Sequence, residues 1–382
     1  QVVCNAEATT VVFTTENTVG VTAYAWTSDI EIGAGLTGAG DLNFTAINLG
    51  TEPLVATIIV TPTFTNDGVS CDGPTESFTI TVNPTGQVDI PADQVVCNAE
   101  ATTVVFTTEN TVGVTAYAWT SDIEIGAGLT GAGDLNFTAA NLGTDPLVAT
   151  IIVTPTFTND GVSCDGPTES FTITVNPTAQ VDIISDSFVL SGELTPSISL
   201  SSQSTNTTFS WVASPDADIT GLVNDSGSNS LIPSETFYNF ETIPLEVVYV
   251  ITPVVNNDLA GISCPGTTYT YTVIVNPSAS VKSIEDLIVC NEDSVSVLFT
   301  SENTGGTVTY AWTSDIEIGA GLTGAGDLNF TAANLGTDPL VATIIVTPTF
   351  TNGGVSSDGP TESFTITVNP TAQIDAITSQ VL

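Results

Sequence analysis

The sequence predicts an all-β chain of four tandem β-sandwich modules strung into an extended rod. Three observations predict it. The chain repeats itself with a period of 93 residues. Each period carries about seven short runs of strand-forming residues separated by turn residues, the mark of a small sandwich. No segment shows the 3.6-residue apolar period of a helix.

The repeat comes first because it organises everything else. Gln1-Val2-Val3-Cys4-Asn5 returns as Gln94-Val95-Val96-Cys97-Asn98. Over residues 1–90 the second copy differs only in Ala140 for Ile47, Asp145 for Glu52 and Ala179 for Gly86. A fourth copy begins near Leu287, and from Tyr310 to Gln373 it matches the second except at Gly353 and Ser357. The third copy diverges but keeps the frame, with Trp211 for Trp26, Thr252-Pro253 for Thr61-Pro62 and Val275-Asn276-Pro277 for Val82-Asn83-Pro84. The expected modules are 1–93, 94–186, 187–286 and 287–379, with 380–382 opening a fifth. The chain begins at Gln1 and contains no methionine, so it is expected to be a window from a longer array.

Within the first module the strands follow in order. Thr9 to Thr14 supplies one, and Thr22 to Trp26 another with Tyr24 and Trp26 on one face. Leu42 to Ala46 is a third. Leu54 to Val60 is apolar on both faces, as a central strand is. Ser77 to Val82 alternates Phe78, Ile80 and Val82 with hydroxyl residues until Asn83-Pro84 stops it. The linkers at 84–93, 177–186 and 277–286 are short and poor in glycine. Four modules in line would reach about 150 Å.

Composition removes several function classes. The chain has 42 acidic residues, one base (Lys282) and no histidine, for a net charge of −41. A nucleic-acid backbone finds no counterion in it. Neither histidine-based nucleophilic catalysis nor histidine metal ligation is open to it. No apolar run approaches the ~20 residues that span a bilayer, so no membrane insertion is expected. Yet 41% of the residues are hydrophobic, enough to build cores.

The cysteines repeat as well. Cys4 and Cys71 are 67 residues apart, as are Cys97 and Cys164. If the first strand starts, and the last strand starts, at the same end of a module, each pair lies together there. The expectation is two intramodule disulfides, Cys4–Cys71 and Cys97–Cys164, in an oxidising extracellular setting. Cys264 and Cys290 lack such partners and are expected to be unpaired or bonded to another chain.

Three motifs invite chemistry. Gly33-Ala34-Gly35-Leu36-Thr37-Gly38 spells a dinucleotide-binding glycine pattern, but a turn and a strand follow where a helix would be needed, so a surface turn is expected. Asp29 and Glu31 share a face as glycosidase carboxylates do. The pair recurs at Asp122/Glu124 and Asp315/Glu317, which fits a solvated acidic face better than three active sites. The Asn66-Asp67-Gly68 turn with Asp72 suits calcium, making Asp67, Asp72, Asp160 and Asp165 the candidate ligands; the plainer alternative is that these residues form turns. The third copy offers Asn257-Asp258 there. No catalytic residue and no cofactor besides Ca2+ is expected.

Tyr24-Ala25-Trp26, Asn48-Leu49-Gly50, Val60-Thr61-Pro62 and Thr81-Val82-Asn83-Pro84 together resemble the PKD-like, immunoglobulin-type repeats of giant surface proteins in gliding Bacteroidota. The nearest likeness is to the acidic, Thr-rich stalk repeats of SprB-type gliding adhesins, exported by type IX secretion. Thr27-Ser28-Asp29 stands where PKD domains carry an Asp-Phe-Gly-Asp-Gly-like run. The resemblance implies an extracellular, surface-attached, non-catalytic filament. The leading expectation is a structural stalk that spaces a binding tip, outside this chain, from the cell, its partners being further repeats of the same parent chain. The alternatives are a subunit of a self-assembling fibre of like chains, and a multivalent adhesin whose repeated loops bind glycans or a surface.

Overall fold

The computed structural model of the chain describes residues 1–257 and 261–376. Asp258, the third-copy calcium candidate, and the expected start of a fifth repeat at 380–382 lie outside the described residues. The described regular elements are all β-strands. They fall into two compact units, the first comprising Gln1–Thr178, Ser204–Asn206 and Val255–Cys264 and the second the remaining described residues.

The first sandwich of unit 1 sets the pattern. Its strands are β1 (Val2–Cys4), β2 (Ala8–Val11), β3 (Val21–Ser28), β4 (Thr37–Ala39), β5 (Leu42–Thr45), β6 (Leu54–Asn66), β7 (Val69–Asp72) and β8 (Glu76–Asn83). One sheet runs in the order β1-β8-β6-β3-β4, with β7 pairing the far half of β6, and β2-β5 forms the facing sheet. Between them lie Trp26, Ile32, Leu42, Ala56, Ile58, Ile80 and Val82, all buried. A fully buried isoleucine such as Ile58 contributes about 2–3 kcal/mol. β6 is central in the ladder as its sequence predicts, but its outward Val55 and Ile59 are exposed. The second sandwich, built on Val96, Trp119, Ile151 and Ile173, repeats this arrangement in the same unit.

Unit 2 holds two more cores. One is lined by Trp211, Phe237, Tyr249 and Tyr271, the other by Trp312, Ile344, Phe364 and Ile366. The divergent third copy keeps the fold with a more aromatic core: Tyr249 stands for Ile58 of the first copy, and Tyr271 for Phe78.

β6 corrects the expected end at Val60. It continues through Pro62 to Asn66 because it changes partner there. Its pairing with β8 ends at Val60–Glu76 and its pairing with β7 begins at Thr63–Asp72, so Pro62 sits in the gap where no ladder donor is required. The hairpin closes at Asp67 (φ 46°) and Gly68 (φ 82°), the left-handed pair of a two-residue turn.

Candidate functional site

The features that repeat from copy to copy and carry chemistry lie at the ends of the modules, where one sandwich meets the next. The long hairpin places them. β6 carries β7 beyond the body of the sheet, and the hairpin of each following module reaches the end of the module before it.

In unit 1 the result is a disulfide between modules. Cys4 bonds Cys164 with Cα atoms 5.5 Å apart, and Cys97 bonds Cys264 at the same separation. Cys71 and Cys290 are free and exposed. The expected Cys4–Cys71 and Cys97–Cys164 pairs are not formed, and Cys264, expected to be unpaired or interchain, is bonded within the chain. The error lies in the first strand. Cys4 does not precede that strand but ends it, and β1 pairs in parallel with the last residues of β8, so Cys4 lies beside Asn83 at the end of the module where β8 finishes. Cys71 lies on the hairpin at the opposite end, across a 13-residue strand about 40 Å long.

Polar contacts reinforce the joint. Asn83 donates from Nδ2 to the carbonyl of Asn159 at 3.2 Å, and Asn159 donates back to Asn83 Oδ1 at 3.1 Å. Asn276 and Asn352 form the same reciprocal clasp in unit 2, at 3.1 and 3.0 Å. Asn83 and Asn276 are both fully buried, so each clasp satisfies groups that burial would otherwise leave unpaired. Backbones also touch. A Cβ on Gly166 would stand 1.8 Å from the Gly86 carbonyl, and one on Gly359 1.8 Å from the Ala279 carbonyl.

The linker completes the joint by adding itself to the next module. Val88 packs on the second core, Val181 and Ile184 on the third, and Val281 and Ile284 on the fourth. The amide of Asp89 donates to Thr107 O at 2.9 Å and that of Lys282 to Thr300 O at 2.8 Å. The Gln87 amide donates to Asn110 Oδ1 at 2.9 Å and the Ser280 amide to Asn303 Oδ1 at 2.7 Å.

The remaining motifs make hydrogen bonds within the chain. Glu31 Oε1 accepts from the amides of Gly33 and Gly35 at 2.7 and 3.0 Å, so the glycine loop's donors hold the chain's own carboxylate. Gly38, the motif's last glycine, lies flat under Trp26, where a Cβ would come within 2.1 Å of the indole. Asp29 turns to the Thr57 amide at 2.7 Å, so the Asp29–Glu31 pair caps two different loops. Among the calcium candidates, Asp72 accepts from Thr63 Oγ1 at 2.7 Å and Asp165 from Thr156 Oγ1 at 2.8 Å. Asp67 and Asp160 occupy the left-handed turn position. Among the described residues no cluster of three or more His, Cys, Asp or Glu side chains is placed to hold a metal ion.

Residues 184–279, the third sandwich, match the PKD-like domain family. No curated protein matches. Among solved structures, Drosophila N-cadherin EC1-4 aligns over 97% of this chain and 98% of its own at 13% identity, with a TM-score of 0.32. Sidekick-1 immunoglobulin domains 1–5 align over 97% and 79% at 12% identity and TM-score 0.26. The insect immune protein hemolin aligns over 97% of each chain at 13% and 0.24.

Proposed function

We propose that this chain is a non-catalytic extracellular stalk, an array of immunoglobulin-like modules that holds a binding element away from a surface. One observation carries the reading: disulfides tie module to module rather than closing each module on itself. A disulfide inside a domain stabilises that domain; one across a joint resists bending and separation. The buried asparagine clasps act in the same direction. Near-identical modules add length without adding chemistry, and the uniform negative charge keeps such chains apart. Disulfides favour an oxidising location outside the cell. The resemblance of the repeat motifs to SprB-type stalk repeats supports a surface adhesin of gliding Bacteroidota and export by type IX secretion.

Single-molecule stretching tests this reading. The two bonds overlap in sequence, so the shortest covalent path from Cys4 to Cys264 runs through the 67 residues between Cys97 and Cys164. Pulled from its termini, the oxidised chain should reach a final contour roughly 650 Å shorter than the reduced one. Equal contours would mean that the joints carry no load and would remove the basis for a stalk.

A further inference from the structure

Only one asparagine in the chain is followed by glycine: Asn352-Gly353, in the hairpin that docks the fourth module on the third. An asparagine loses its amide without an enzyme when the backbone nitrogen of the next residue reaches its side-chain carbon. Glycine favours that approach most, because it has no Cβ to obstruct it and its backbone turns freely. The first and second copies carry Asn66-Asp67 and Asn159-Asp160 at this position, where a side chain stands in the way. Across the clasp, Asn276 precedes Pro277, as Asn83 precedes Pro84, and a proline nitrogen has no proton to give up. The labile pair therefore occupies one position in one joint.

While that joint is docked, the third module holds both reacting groups. Asn352 Nδ2 donates to Asn276 Oδ1 at 3.0 Å, which ties its side chain across the joint. The Phe188 ring lies against Gly353, where a Cβ would fall 2.1 Å from it. Asn352 is half-buried, so only part of its surface meets water. The joint has no disulfide to keep it shut, since Leu190 and Ser357 stand where Cys97 and Cys264 stand in the joint before. Asn159-Asp160 lies instead in a joint that Cys4–Cys164 locks.

We propose that Asn352 is a self-modification site, converted when the joint between the third and fourth modules opens and thereafter holding that joint open. Undocking frees the Asn352 side chain and the Gly353 backbone together. The Gly353 nitrogen then bonds to Asn352 Cγ, the Cγ–Nδ2 bond breaks, and Nδ2 leaves as ammonia with the proton that Gly353 gives up. Water opens the resulting cyclic imide at either carbonyl, its hydroxyl going to carbon and its hydrogen to nitrogen. The product is aspartate, or its isomer with the backbone routed through the side chain, and nothing is oxidised or reduced. Neither product donates to Asn276 Oδ1. Asn276 is fully buried in the docked joint, so that oxygen would be left unpaired opposite a carboxylate. Turning the Asn276 amide over brings Nδ2 to the carboxylate but sets Oδ1 against the Asn352 carbonyl. The reaction cannot run backwards without ammonia, so each opening that is long enough leaves a permanent mark. This inference goes beyond the stalk reading and stands without it, since it is read from the mass of one peptide and cutting at one linker, not from contour length.

The test ages the full chain, disulfides intact, in neutral buffer and maps its peptides by mass over time. Asn352 should convert about tenfold faster than Asn66 or Asn159, to a mixture of aspartate and its isomer. Urea sufficient to unfold the chain should speed the conversion, and the stapled chain Leu190→Cys with Ser357→Cys should slow it. Lys282 lies in the linker of this joint with its amide bonded to the Thr300 carbonyl, so trypsin cutting after it reads the open state. Asn352→Asp, which supplies one product outright, should be cut about tenfold faster than fresh wild type, with the melting of the sandwiches unchanged. The converted fraction of aged wild type should be cut as fast as that variant. Three results would each overturn the proposal. One is conversion at Asn352 no faster than at Asn66. Another is equal conversion in the folded, stapled and unfolded chains, which would mean that the joint does not guard the site. The last is an Asn352→Asp chain cut at the wild-type rate, which would mean that the modification leaves the joint closed.

Discussion

The first joint and the third have one design and differ in one bond. Cys4–Cys164 staples the first, while the corresponding positions of the third are Leu190 and Ser357. The third nevertheless keeps the reciprocal asparagine clasp and the glycine approach to the preceding backbone. It also gains a contact. Phe188 lies over Gly353, where a Cβ would fall 2.1 Å from the ring. That contact gives a reason for glycine at 353, where the first two copies carry Asp67 and Asp160. The comparison teaches that packing and the clasp dock the modules, and the disulfide locks a joint that would form without it.

Disrupting the docking of the unstapled joint should produce the largest effect. Gly359→Ala sets a methyl against the Ala279 carbonyl, which is backbone and cannot rotate away. A clash costing about 2 kcal/mol raises the undocked population roughly 30-fold. Lys282, the only tryptic site, lies in that joint's linker with its amide bonded to Thr300, so cleavage there reads undocking directly. Cleavage rising by that factor, with the melting of the sandwiches unchanged, is the expected outcome. An unchanged rate would mean that the linker is held by its own groove and that the glycine contact is incidental.

Supplying the missing staple should have the next largest effect. Leu190→Cys with Ser357→Cys recreates the spacing of Cys97 and Cys264, whose Cα atoms are 5.5 Å apart. The bond should form without added catalyst and stabilise the docked joint by about 2–4 kcal/mol. Trypsin would then cut after Lys282 more slowly, and the two fragments would stay together on a non-reducing gel and part on a reducing one. Fragments that separate without reductant would show that the third joint departs from the geometry of the second.

What the sequence made legible and what it hid divide along a physical line. The repeat, the core strands around Trp26 and Ile80 and the four-module frame depend on local alternation and self-similarity, both of which can be read along the chain. The disulfide partners depend on the register of a three-residue strand. The expectation set Cys4 before the first strand, at the end where β8 starts, and Val2–Cys4 carries no signal that it is itself a strand in register with the last residues of β8. Pro62 concealed the rest, since a proline in a strand reads as a stop unless the change of partner around it is known. One available signal pointed to the joints: Ser357 loses its cysteine together with Leu190 in the preceding copy, not with Cys290 in its own.

The smallest expected effect is a pH dependence at the start of the second and fourth modules. Asp286 and Asp93 precede the first strands of the fourth and second modules, and each accepts from a last-strand amide, Thr365 at 2.6 Å and Thr172 at 2.7 Å. Those amide bonds, followed by the threonine hydroxyls, hold both carboxyls below the usual carboxylate range. A folded-state pKa below the unfolded one means that the unfolded chain binds protons first as pH falls. The contribution is therefore complete above about pH 5 and is lost as acid titrates the groups through their folded pKa values. Asp286→Asn keeps an acceptor and removes the titration, so melting curves between pH 6 and pH 3 should show a shallower acid slope for the variant's fourth module. The groups are exposed and the difference should be slight. A steeper slope in the variant would mean that Asp286 is repelled by neighbouring carboxylates more strongly than the Thr365 amide holds it.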